Sequence, residues 1–178
     1  MSCKTQVLSG LPANCDYNVG GVKKVYIANR SDVTSVKVDD TSKMVTAITM
    51  DTEKKFYAYN FKKGAASFTS TATIDNANGV YFVSTVVSID FAKMETKKRI
   101  EMSALSLGEL IVIILDANDK YWLLGNEEYA YATAGTGETG AARTDANKYH
   151  LEITDESSDY PYEVDSSIIG DLVVEPAV

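Results

Sequence analysis

The chain has 178 residues, 45% of them hydrophobic and 24% charged, with a formal net charge of −8. That length and balance suit one globular domain with its own core, and exclude a disordered or disulfide-scaffold chain. The longest apolar run, LIVIIL at 110–115, is far below the ~18–20 residues of a membrane helix. The opening MSCKTQVLSGLPANC lacks an apolar signal core, so neither secretion nor membrane insertion is expected.

The charge is unevenly placed. Residues 1–100 hold 14 Lys and Arg against 9 Asp and Glu, whereas residues 101–178 hold 3 against 16. If the two halves occupy opposite ends of the domain, the molecule is a dipole able to stack basic end on acidic end. The overall sign disfavours tight DNA binding. Two cysteines, Cys3 and Cys15, form no framework; free thiols are preferred over a disulfide, and the spacing fits no metal site.

In chain order, VKKVYIAN (22–29) is β-branched and aromatic and predicts a strand, and 33–38 a short alternating one. MVTAITM (44–50) and FYAYNF (56–61) read as two strands joined by the polar turn 51–54. SFTSTATI (67–74), the turn DNANG (75–79) and VYFVSTVVSIDF (80–91) make a long hairpin spanning about 65–91. Asn78-Gly79 marks its turn, since a two-residue Asn-Gly turn takes positive φ at both positions. Ser67, Thr69, Thr71 and Thr73 line one face of the first strand, all small, neutral and hydroxylated.

One helix is predicted over about 94–107, with Ile100, Ala104 and Leu107 on one face and Gly108 ending it. ELIVIILD (109–116) is continuously apolar, as a buried strand is, and turns through DANDK into YWLLG (121–125). EYAYAT then reads as a short strand before a glycine loop at 134–141. KYHLEIT (148–154) alternates, and DYPYEV (159–164) is placed at a sheet edge because Pro161 cannot donate to a ladder. The tail from 165 is either a further strand or an arm docked on a neighbour. The expected fold is mainly β, an antiparallel sandwich or barrel of nine to eleven strands with one flanking helix, in a single domain spanning 1–178, with arms at 1–19 and 165–178.

AGTGETGA fits G-x-G-x-x-G at Gly135, Gly137 and Gly140. A dinucleotide turn needs a strand before and a helix directly after, in a βαβ setting; here AARTDAN and another strand follow. The match is an accident of composition, and the stretch reads as a loop. Asp116, Asn118 and Glu127 echo a calcium loop, but Lys120 and Tyr121 stand where a ligand and the turn glycine belong. The repeated DANDKY and DANKY are Asx turns feeding strands. His150, the one histidine, sits mid-strand with no nucleophile assignable to it. No catalytic residue, cofactor or metal is expected.

Residues 110–164 resemble the closing portion of phage tail-tube-like virion proteins, those of crAss-like and other Bacteroides-type phages above all. The resemblance lies in the apolar strand, the Asp-Asn turn, YWLLG, the Gly/Thr stretch and the DANKY strand. NVGGVKKVYIANRSDVTS (18–35) is similar to the opening of such proteins. Membership implies a structural, non-enzymatic role in a self-assembling ring or tube of the tail or collar, six- or twelve-fold. It implies assembly in the host cytoplasm, adjacent tail or collar proteins as partners, and genomic DNA passing through without specific binding. It also implies a hairpin whose strands find partners in sister copies, with Ser67, Thr69, Thr71 and Thr73 facing the lumen and Asn78-Gly79 at the subunit interface. Rival expectations are a carbohydrate-binding or adhesin-like β-sandwich using tyrosines near 129–131 and 160–162, and a hydrolase using two of the late carboxylates.

Overall fold

Strand-forming runs settle into two sheets according to how much of each run can be covered. The computed structural model describes residues 10, 11, 13 and 16–176; Cys3 and Cys15, and the question of their pairing, lie outside the described residues. The strands are β1 (Val22–Asn29), β2 (Val33–Val38), β3 (Val45–Met50), β4 (Phe56–Tyr59), β5 (Ala66–Asp75), β6 (Val80–Ala92), β7 (Leu110–Asp116), β8 (Tyr121–Leu124), β9 (Tyr131–Glu138), β10 (Lys148–Ser157), β11 (Tyr162–Val164) and β12 (Val173–Val174). Helix α1 (Thr96–Leu107) follows β6, and a short helical turn, α2 (Ile169–Leu172), precedes β12. The fold is mainly β with a flanking helix, as the sequence predicts. Among the described residues no helix is long and apolar enough to cross a membrane.

The larger sheet runs β12-β4-β1-β7-β8-β11-β3-β2 and the smaller β5-β6-β10-β9. All pairings are antiparallel except β11 with β3 and β12 with β4. β7 lies in the middle of the larger sheet, and its run Leu110–Ile114 is buried throughout, because both of its faces are covered. On one side Val25, Ile27, Val112, Ile114 and Leu124 pack against Val87, Ile89, Leu151 and Ile153 of the smaller sheet and against Met102 and Leu105 of α1. On the other, Tyr26, Ile111 and Ile113 share a core with Val45, Ile48, Phe56, Ile169 and Leu172.

β3 and β4 are consecutive in the chain but stand near opposite ends of the larger sheet, not side by side as the turn at 51–54 suggests. Only residues 51–55 connect them, a reach of roughly 20 Å at most. The sheet therefore curls until its ends share one core: barrel-like on its own, and half of a sandwich with the smaller sheet. Interior Phe56, with no exposed surface, plugs the curl.

Further expectations are corrected. β11 lies between β8 and β3 rather than at an edge, because Pro161 falls just before the strand and removes no ladder donor. Met102 and Leu105 are the buried residues of α1, while Ile100, Ala104 and Leu107 face solvent. Leu107 is 90% exposed, so the helix is held by a narrow contact rather than a broad apolar stripe. The hairpin turn is a four-residue loop in which only Gly79 takes positive φ. Asp75 organises it, its Oδ1 accepting the Ala77 and Asn78 amides at 2.9 and 3.2 Å and its Oδ2 the Asn78 side chain at 2.6 Å.

Residues 134–138 of the glycine stretch are strand, paired along β10, not loop. A Cβ on Gly137 would sit 2.9 Å from the Tyr149 ring and 3.1 Å from Met94 Cε, so glycine there leaves room for Tyr149 to cover the backbone. The chain tail from Asp165 docks on its own molecule, burying Ile169 and Leu172 and adding β12 beside β4.

Candidate assembly surface on the smaller sheet

Alternation along β5 sends Ala66, Phe68, Ser70 and Ala72 toward the core and Ser67, Thr69, Thr71 and Thr73 outward. All four outward residues are exposed. Cross-strand register extends their surface: Ser67 pairs with Ser88, Thr69 with Val86, Thr71 with Ser84 and Thr73 with Phe82. On the far side of β6, Ser88 meets Glu152, Val86 meets Thr154 and Ser84 meets Glu156. The β5–β6 part of the outer face is thus neutral and hydroxyl-rich as far as Ser88. Facing the core beneath it, Ser70 and Thr85 share a 2.7 Å hydrogen bond that satisfies two polar groups inside an apolar layer.

The hairpin is not a free arm. β6 pairs along ten positions with β10, from Val83–Ser157 to Ala92–Lys148, and Val83, Val87 and Ile89 are fully buried. What stays unpaired is the outer edge of β5 at one side of this sheet and the outer edge of β9 at the other, among the described residues. The bond from the Asp90 amide to the Ala65 carbonyl, 2.8 Å, sets the phase of the ladder. Ser67, Thr69, Thr71 and Thr73 bond toward β6, whereas Phe68, Ser70, Ala72 and Ile74 direct their backbone groups outward, free of any partner strand.

At the Ala92 end, Lys148, His150 and Glu152 alternate on the outer face of β10, and the first two reach Asp90 of β6. His150 Nδ1 lies 2.7 Å from Asp90 Oδ1 and its Nε2 3.4 Å from Glu152 Oε1. Lys148 Nζ donates to Asp90 Oδ2 at 2.8 Å and pairs with Glu138 at 3.6 Å. The Asp90 bond raises the His150 pKa above its ordinary value, partly opposed by burial. Burial pushes the Asp90 carboxyl up, but the Lys148 and His150 bonds outweigh it and hold it below the usual range. Both imidazole nitrogens thus face carboxylates, the geometry of an ion-pair network rather than of a base poised on a hydroxyl. Sequence reasoning missed this group, although the period-two spacing of Lys148, His150 and Glu152 carried it.

At the opposite, hairpin-tip end, Asn78 and Gly79 are exposed, and Tyr81 and Phe82 border a cleft with Glu127, Glu128, Glu156, Ser157 and Ser158. Glu127 accepts the Ser158 amide at 2.8 Å and its hydroxyl at 2.5 Å. Behind this cluster Asp155 is only 3% exposed, and its Oδ1 has no hydrogen-bond partner. Burial pushes its pKa up to about 6; the Gly125 amide pulls it down, and repulsion from Glu127, Glu128 and Glu156 adds to the rise. The series Leu151, Ile153, Asp155 places it on the core face, a signal the sequence contained.

The calcium-loop echo dissolves into local turns. Asp116 Oδ1 accepts the Asn118 and Lys120 amides at 2.8 and 3.0 Å, its Oδ2 takes the Trp122 indole at 3.0 Å, and Glu127 is bonded to Ser158. Among the described residues no three His, Cys, Asp or Glu side chains are grouped to hold a metal. Tyr129 and Tyr131 meet edge to face, centroids 6.5 Å apart at 74°, and Tyr160 is 51% exposed. Compared with protein-family models, curated proteins and solved structures, the chain matches none of them.

Proposed function

We propose that this chain is a structural subunit of a tailed-phage virion whose smaller sheet closes edge to edge with sister copies into a ring around a channel. The observation that supports it is the pair of unpaired edges, β5 and β9, on a sheet of four alternating antiparallel strands. With an even strand count, β5 of one copy runs opposite to β9 of the next when all copies point the same way along a ring axis. Their union is then an ordinary antiparallel ladder, and closure removes edges that would otherwise invite disordered aggregation.

Four strands per copy make 24 in a ring of six. At about 4.8 Å per strand the barrel is roughly 37 Å across before strand tilt widens it. The neutral Ser67/Thr69/Thr71/Thr73 face suits a lumen wall, because it offers no lysine or arginine to hold a sliding duplex by its phosphates, and Lys148 on the same outer face is already paired with Asp90 and Glu138. In this reading no residue performs covalent chemistry and no cofactor is needed. The work is geometric.

Because Ala72 directs its amide outward, Ala72→Pro removes one edge donor and leaves the β5–β6 ladder whole. Size-exclusion chromatography with light scattering and negative-stain images should show closed rings for the wild type. The variant should run as a monomer with nearly unchanged thermal midpoint. A wild-type chain that stays monomeric at high concentration, and binds a glycan array in that state, would replace this reading with the carbohydrate-binding one.

A further inference from the structure

Two features at opposite ends of the same hairpin fit one another. At the tip, Ile74 and Tyr81 are cross-strand partners on the core-facing side of the sheet. They lie beyond the last β6–β10 pair, Val83 with Ser157, and the described residues leave both largely uncovered. Ile74 is 65% and Tyr81 50% exposed, and the adjacent cleft carries Glu127, Glu128 and Glu156 with no lysine or arginine in its wall. At the other end, just before β5 begins, a groove of about 560 Å³ lies between the 19–23 segment and the 61–64 segment. Val19, Val22 and Phe61 give it an apolar wall, and Lys62 and Lys63 stand exposed on its rim, in no ion pair among the described residues. Lys23, also on the rim, is paired with Asp119.

We infer that the hairpin tip of one copy docks into the lysine-rimmed groove of a second copy, head to tail. The apolar pair supplies the buried contact, and the three glutamates meet Lys62 and Lys63. The tip and the groove are separated by the length of β5, ten residues or about 33 Å. The contact is therefore heterologous, and each copy offers a free tip and a free groove; because the two stand at opposite ends of β5, copies add along the strand direction and the products are open stacks. The inference rests on the ring reading only for its geometry. With β5 and β9 engaged around a ring, tip and groove fall on opposite rims and the docking becomes axial. It also gives the sequence's charge asymmetry a place, since the acidic residues come from the 127–156 region and the lysines from before residue 100.

Two variants of the full chain test it: Ile74→Ser/Tyr81→Ser, which keeps its groove, and Lys62→Glu/Lys63→Glu, which keeps its tip. All four positions are exposed, so both variants should keep the wild-type thermal midpoint. Negative-stain microscopy should show wild-type particles in stacks, and each variant alone at least tenfold less stacked. Mixing the two should yield paired particles and nothing longer, because only one tip-to-groove contact can form between them. Stacking of either variant at the wild-type level, absence of pairs in the mixture, or a wild type that never stacks would each overturn the inference. The ring reading fails separately: if the mixture pairs as monomers while no closed ring appears, the docking stands and the ring does not.

Discussion

Replacing Asp155 with Asn should stabilise the protein, and increasingly so as pH rises. The carboxyl is buried at 3% exposure with Oδ1 unpartnered, and its pKa stands at about 6 in place of 3.8. A folded-state pKa above the unfolded one means that the folded chain binds the proton more tightly. The resulting stability is complete below pH 3.8 and is lost as pH rises through about 6. At roughly 1.4 kcal/mol per pH unit, the ionised side chain costs about 3 kcal/mol at pH 8 relative to a neutral one. Asn keeps the shape and removes the charge, but its amide brings donors that also want partners, so a net gain of about 2 kcal/mol is expected. For a domain of this size that is a rise of about 4–8 °C in Tm. Urea melts of both proteins between pH 4 and pH 8 measure it, and the difference between them cancels the titration of all shared carboxylates. A gap that is flat with pH, or an Asn variant less stable than wild type at pH 8, would refute the assignment of a strained, buried charge.

Two other expectations concern the same sheet. His150 should titrate above 6.5 in an NMR pH series, and Asp90→Asn should bring its midpoint down; its contribution to stability is complete below 6.5 and fades as pH rises through the elevated value. Gly137→Val should cost about 1–3 kcal/mol in thermal melts because Tyr149 must give way, whereas Gly135→Ala, whose added carbon meets nothing nearer than 3.6 Å, should be close to neutral.

The alternation of apolar residues with small hydroxylated ones marked β5, and the unbroken LIVIIL run marked β7, because strand periodicity and two-sided burial are written locally into the chain. The Asx turn at Asp116 was equally legible, since its capping bonds span two to four residues, whereas the hairpin tip, read as a two-residue Asn-Gly turn, is the longer loop that Asp75 organises. Sequence alone did not expose the inward face of α1. With Met102 and Leu105 as its only buried residues, the helix carries too little periodicity to orient itself, and β9 and Tyr149 decide the matter. Nor did it reveal that 134–138 is an edge strand, because glycine lowers local strand preference and only pairing with β10 overcomes that.

The His150–Asp90–Lys148 network joins residues 60 apart, and the strain on Asp155 depends on a layer packed over it. Which strands neighbour which, and hence which edges stay unpaired, was likewise decided by tertiary structure. β3 and β4 follow one another in the chain yet border different neighbours, because curling the larger sheet buries Phe56 and Ile48 in a common core that a simple hairpin would leave open. Residue order determined where strands begin, turn and alternate; burial across long sequence separations determined how they are arranged, since that free energy appears only when distant segments meet.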